Sequence, residues 1–157
     1  MSKITLKPIT EKTSISIAEL NAGDDGKYVP NNAITLIQAL FKKDLKSVRG
    51  IYLGTGKDAQ PIGLILVHSR GKKKLEIGRF MIDKAYQGKG YGKEAFSAIL
   101  KLFVKKYKPD IVELDTRNPN AIKLYKQFGF VEYKTEPNAT KGNKVFLRVN
   151  AKDILYP

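Results

Sequence analysis

The chain contains no cysteine and only one histidine, His68. Without cysteine there is no disulfide framework, no Cys-ligated zinc or iron–sulfur cluster and no thiol nucleophile. A lone histidine argues against a His-rich metal site or a Ser-His-Asp triad built elsewhere in the chain, and no metal is expected. No apolar run approaches the roughly 20 residues of a membrane span, and the opening MSKITLKPIT lacks a signal-peptide core. The expected location is therefore the cytoplasm, with no membrane partner. Acidic residues are scarce as well: 15 Asp and Glu stand against 29 Lys and Arg, giving a formal charge of +14.

What remains is an ordinary globular composition, 42% hydrophobic and 28% charged over 157 residues. That length predicts one domain, 1–157, with its own core. The cationic excess is concentrated between Arg70 and Lys108, where 12 Lys and Arg meet 3 Asp and Glu. Such a segment suits a polyanion: nucleic acid, an anionic membrane surface or a phosphate-rich cofactor. A solvated lysine-rich helix face accounts for the same pattern without any partner.

Apolar and polar residues alternate over Ile4–Ile9, predicting a strand that Pro8 places near a sheet edge. Helices are predicted over 13–20 and 32–43, the second from Ile34, Ile37, Leu40 and Phe41 at helical spacing, capped by Asn31 or Asn32. Residues 48–53, 62–68 and 75–82 read as a three-strand antiparallel meander. Along 90–107, Ala95, Phe96, Ile99, Leu102 and Phe103 share one helix face, and Pro109 ends the helix. A strand over 111–116, a short helix over 120–128 and two strands over 131–135 and 144–149 complete an α+β chain with a mixed sheet.

Tyr86, Gln87, Gly88, Lys89, Gly90, Tyr91, Gly92 and Lys93 lie between a predicted strand and the long helix. Alternating glycines let the backbone turn tightly with its N–H groups converging, and the helix N-terminus adds its dipole, so the turn suits a phosphate. Two phosphate-binding patterns do not fit. Gly92 and Lys93 are followed by Glu94, and Gly56 and Lys57 by Asp58, so neither supplies the hydroxyl of a Walker loop. The Gly-x-Gly-x-Gly spacing after hairpins also differs from a dinucleotide-binding fingerprint.

The run Gln87 to Gly92 resembles the Gln/Arg-x-x-Gly-x-Gly/Ala hallmark of the GNAT superfamily of acyl-CoA N-acyltransferases. Asn118, Ala121, Leu124, Tyr125, Gly129 and Phe130 match a second hallmark, Asn-x-x-Ala-x-x-Leu-Tyr-x-x-x-Gly-Phe. The order of elements from Ile4 to Val149 is similar to that fold, and the stretch 79–90 looks closest to the spermine/spermidine acetyltransferase branch. The resemblance implies a central, mostly antiparallel sheet splayed between strands 4 and 5, with helices on both faces.

The resemblance also implies acetyl transfer from acetyl-CoA to a primary amine, either a polyamine or other small amine or a peptide amine. The pyrophosphate would rest on residues 87–93, namely Gln87, Gly88, Lys89, Gly90, Tyr91, Gly92 and Lys93. The pantetheine arm would pair with Phe80, Met81 and Ile82, helped by Asn118 and Ala121. Tyr125 stands at the family's general-acid position, and a phenol is protonated at neutral pH and can donate. In place of the acid usual in that branch, this chain has Gly78, leaving Glu76, one strand repeat earlier on the same face, as the candidate base. Glu113 and Asp115 on the next strand are substitutes. A homodimer is admitted as an assembly. A basic nucleic-acid-binding protein and an acyl-CoA sensor are the alternatives: no RNA- or DNA-binding pattern supports the first, and Tyr125 argues against the second.

Overall fold

The computed structural model describes residues 3–28 and 30–157. Seven strands form one sheet, β1 (Ile4–Pro8), β2 (Leu45–Leu53), β3 (Gln60–Ser69), β4 (Lys74–Ile82), β5 (Ile111–Thr116), β6 (Val131–Glu136) and β7 (Lys144–Asn150), in the order β1-β2-β3-β4-β5-β7-β6. Four helices accompany it: α1 (Glu11–Ala18), α2 (Asn32–Ala39), α3 (Tyr91–Tyr107) and α4 (Pro119–Gln127). Pro8 closes an edge strand, where its missing N–H costs no ladder bond.

β2 to β4 form the expected three-strand antiparallel meander, β1 adds to it antiparallel to β2, and β4 then pairs with β5 in parallel. That parallel pairing is short. Lys74 to Ile77 match Ile111 to Leu114, after which the strands part and Gly78–Ile82 have no strand partner on the β5 side. The sheet is thus splayed between strands 4 and 5.

One face carries the main core, in which Phe96 of α3 is fully buried among Ile65, Val67, Ile77, Leu114 and Leu147. Phe96 also centres an aromatic cluster, with ring centroids 5.4 Å from Phe80, 4.9 Å from Tyr125, 5.0 Å from Phe128 and 5.9 Å from Phe130. A smaller core of Ile17, Tyr52, Leu64 and Met81 lies on the opposite face under α1 and α2. Helices therefore cover both faces.

The β3–β4 register slips at one point. Leu66 faces Arg79 and Val67 faces Ile77, leaving Gly78 as a bulge. Before the bulge Leu75 and Ile77 point into the main core; after it Phe80 and Ile82 do so, and Met81 joins the second core. An extra residue reverses the alternation of a strand. Glu76 consequently lies on the face opposite Phe80, which corrects the expectation that the two share a face.

Two helices differ from their predicted bounds by more than one residue. α1 begins at Glu11, two residues early, and α2 ends at Ala39, four residues early. Asn31 caps α2 by accepting a bond from the Ala33 N–H at 2.7 Å. The stripe that signalled α2 faces solvent: Ile34, Ile37, Leu40 and Phe41 are exposed, and Asn32, Thr35 and Ala39 are buried instead. Asn32 is admitted because its side-chain amide donates to Ile17 O at 2.9 Å.

Candidate active site

The glycine turn ends in a helix start without a side-chain cap. Gly90, at φ +84°, is the residue before α3 and, having no side chain, does not cap the first-turn amides. The first N–H groups of any helix have no partner within the helix itself, and such an end suits an anion. Gly92 sits in the first turn, and a Cβ built there meets only Ile82 Cγ1, at 3.9 Å.

A cleft of about 630 Å³ runs from this turn along β4 to α4, lined by Gln87, Gly88 and Gly92, by Phe80, Met81 and Ile82, and by Asn118, Ala121 and Tyr125. A second space of about 280 Å³ opens where β4 and β5 part, lined by Gly78, Arg79, Asp115, Arg117 and Lys144. Phe80, Asn118, Ala121, Tyr125 and Tyr28 line both. The gap in the sheet thus joins the two spaces, and Tyr125 stands at the junction. The Tyr125 residue is 6% exposed. Burial, and secondarily the Asp115 charge, raise the pKa of its phenol, so it is protonated at any working pH.

The other expected residues separate into those in the cleft and those turned from it. The Gln87 side chain donates to Ala22 O and Ile82 O, both at 2.8 Å, tying the end of β4 to the α1–α2 loop. Lys89 folds back onto Ala85 O at 3.0 Å. Tyr91 packs against the main core, and Lys93 lines a separate depression beside Lys101. Asn118 caps α4, its side-chain oxygen accepting from the Asn120 N–H at 3.0 Å.

Glu76 lines neither space: Arg70 holds both of its oxygens. Glu113 is also outside, 3.3 Å from Lys74. Of the carboxylates considered from sequence, Asp115 alone faces the gap, 3.2 Å from Lys144. Tyr28, Arg79, Arg117 and Lys144 were not singled out from sequence. No local spacing relates a loop tyrosine and the start of β7 to Tyr125; long-range sheet pairing brings them there.

A third space of about 530 Å³ lies between α1, α2 and their connecting loop, and shares Ala22, Asp24 and Met81 with the long cleft. Glu19, Asp24 and Asp25 line it, with no lysine or arginine. Among the described residues no cluster of three or more His, Cys, Asp or Glu could hold a metal, and no helix is long and apolar enough to cross a membrane.

Residues 20–130 match the acetyltransferase (GNAT) family. The chain belongs to the GNAT acetyltransferase family. It is an acetyl-CoA-dependent N-acetyltransferase, with acetyl-CoA as the cosubstrate. A probable spermine N(1)-acetyltransferase of Bacillus subtilis subsp. natto (strain BEST195) is 30% identical over 132 residues, covering 81% of this chain and 87% of that protein. Among solved structures, spermidine N-acetyltransferase from Vibrio cholerae in complex with CoA and spermine superposes with a TM-score of 0.74 at 17% identity, covering 96% of each chain. Ard1 from Thermoplasma volcanium gives a TM-score of 0.73 at 19% identity, over 94% of this chain and 97% of that one. At these identities the structural matches establish the GNAT fold: a seven-stranded mixed sheet, splayed between β4 and β5.

Proposed function

We propose that this acetyltransferase binds acetyl-CoA along the glycine turn and β4, and transfers its acetyl group directly to a primary amine with Tyr125 as general acid. The observation that carries this reading is the meeting of two spaces at Tyr125 through the gap in the sheet. The pyrophosphate rests on the first-turn amides of α3, beside Gly88 and Gly92. The pantetheine amides pair with the open backbone edge of Phe80, Met81 and Ile82 as an added strand. Asn118 and Ala121 close the opposite wall. As the amine adds to the thioester carbon, the oxygen gains negative charge that a β4 main-chain N–H stabilises. The C–S bond then breaks, and Tyr125 protonates the departing thiolate.

Gly92 allows a clean test of the cofactor site, since the free protein has room for a larger residue there. Gly92→Val is expected to weaken acetyl-CoA binding roughly tenfold or more, about 1.4 kcal/mol, by keeping the pyrophosphate off the amides. The melting temperature should stay near that of the parent. Calorimetric titration with acetyl-CoA checks both parts, and unchanged affinity would remove the pyrophosphate from this turn.

A linear polyamine is the acceptor supported by the named activity of the relatives. The basin bearing Glu19, Asp24 and Asp25 supports it as well, because it is an acidic recess in a protein of charge +14 that adjoins the cleft. A distal ammonium held there would leave the terminal amine near the gap. A peptide amine is the second reading. Arg79 and Arg117 at the gap have no carboxylate within ion-pair distance among the described residues, and would suit an acceptor that carries its own.

Thiol release from acetyl-CoA with spermidine and with an acidic peptide separates the two. Spermidine turnover is expected, with KM raised several-fold by added salt or by Asp25→Asn. Turnover of the peptide alone, with spermidine inert at millimolar concentration, would move the assignment to the second reading.

A further inference from the structure

The only histidine in the chain takes no part in the scheme above, yet its position is specific. His68 of β3 is 2% exposed. A Cβ built on Gly78 would lie 2.5 Å from its Cδ2 and 2.6 Å from its Nε2, so the imidazole edge fills the volume a side chain at 78 would take. Gly78 is the bulge residue of β4, and it lines the gap where Tyr125 lies.

The other end of the ring points outward. Nδ1 is 3.3 Å from Asp44 Oδ1, a contact not aligned as a hydrogen bond in this state and one that a cationic imidazole would tighten. Asp44 is partly open to solvent and is held by Arg70, whose Nη1 donates to Oδ2 at 3.1 Å. Gly78, His68 and Asp44 therefore form a line from the acetyl-transfer gap, through β3, to solvent. The proton acceptors expected from sequence do not offer this route: Glu76 is held by Arg70, Glu113 by Lys74, and Asp115 is paired with Lys144.

We propose that His68 is the proton relay for the acceptor ammonium, receiving its proton through water at the Gly78 bulge and passing one to solvent past Asp44. The proposal rests on the reading that acetyl transfer takes place beside Tyr125. The ammonium gives one proton to Nε2, and the Nδ1 proton leaves along Asp44 to bulk water, so the ring returns to neutral as the Nε2–H tautomer; exchange of that proton with water at the bulge and uptake of one at Nδ1 past Asp44 restores the accepting tautomer before the next turnover. The free amine then forms the C–N bond, and the C–S bond breaks. Tyr125 protonates the sulfur and regains a proton from the second N–H of the attacking nitrogen. The net change is amine acetylation, one thiol and one released proton. Burial lowers the His68 pKa, keeping the ring neutral and able to accept; Lys42 and Arg70 act in the same direction, Asp44 and Glu76 oppose it, and Arg79 lines the same crevice.

The test is the pH profile of kcat/KM with saturating acetyl-CoA and spermidine, or the acidic peptide if that is the amine turned over. His68→Gln should fall about a hundredfold at pH 7, in the range for a lost proton-transfer group. The deficit should close as pH approaches the amine's own pKa near 10.4, where no relay is needed. The double variant H68A/G78E, which puts a carboxylate in the vacated space, should recover part of the rate at pH 7. Asp44→Asn, at the surface, should give a smaller deficit of the same shape and decides the matter alone if His68→Gln does not fold. A deficit that is the same at every pH, or none, would overturn the proposal and leave His68 as packing. An acetylation-competent parent with Tyr125-dependent turnover but a pH-independent His68 effect would sink the relay alone. No turnover of any amine by the parent would remove the reaction and the relay together.

Discussion

Replacing Tyr125 by phenylalanine is expected to lower kcat by ~10²–10⁴ while KM for both substrates and the melting temperature change little. The substitution removes one oxygen and keeps the ring, whose packing on Phe96 at 4.9 Å and near Phe130 at 6.2 Å is untouched. The loss falls on kcat because the proton is needed as the thiolate departs, not as the substrates bind. Burial raises the phenol's pKa, so the deficit should persist from pH 6 to pH 9; the group does not ionise in that range. This separates Tyr125 from His68, whose deficit should depend on pH. Steady-state kinetics at saturating acetyl-CoA check the prediction. A variant that turns over at the parent rate would leave the proton to water or another group.

Phe96→Ala should have the largest effect on stability. The side chain is fully buried and touches β4, α4 and the segment beyond it through four aromatic neighbours. Truncating it leaves a cavity at the junction of these elements, for a loss of about 3–5 kcal/mol and a fall in melting temperature of roughly 6–20 °C. Activity should fall more than the folded fraction alone explains, because Phe80 and Tyr125 lose the ring against which both are packed. Phe96→Leu, which retains part of the volume, should lose less of both. Thermal unfolding measured beside turnover at a temperature where each variant is folded distinguishes the two effects. Equal stability of Phe96→Ala and parent would contradict the packing described.

The fold was legible wherever periodicity and punctuation agreed. Alternation in 4–9, the apolar face of 90–107, Pro109 and the strand over 111–116 each fixed an element whose neighbours follow from short connections. The glycine turn was legible too, as was the order of the two hallmarks around it. Three features were not. The bulge at Gly78 is invisible to a period-2 reading, because a single extra residue leaves the local pattern intact while reversing every side chain beyond it. That is why Glu76 read as a neighbour of Phe80 and lies on the other face. The stripe on α2 gave the right element and the wrong inside, because Asn32 is held in the core by a hydrogen bond to Ile17 O while Leu40 and Phe41 are left about 80% exposed. The lining of the gap joins β4, β5, the start of β7 and the α1–α2 loop. Such a set depends on sheet order rather than sequence spacing.

The same reason explains the division among the glycine-turn residues. Their spacing is what read as a phosphate cradle, but spacing does not say which side chains already have structural duties. Gln87 ties two backbone carbonyls together and Lys89 folds back onto its own turn, so in the proposed site the phosphate contacts fall mainly to main-chain N–H groups, with glycine clearing the approach.

A crystal structure with CoA bound is the most direct measurement of the central claim that acetyl transfer occurs where the sheet parts beside Tyr125. The expected result is the pyrophosphate on the first-turn amides of α3, the pantetheine amides paired with the backbone of Phe80–Ile82, and the CoA sulfur within hydrogen-bond reach of Tyr125 Oη. CoA lodged elsewhere on the protein, or bound in this cleft with its sulfur directed away from Tyr125, would contradict it.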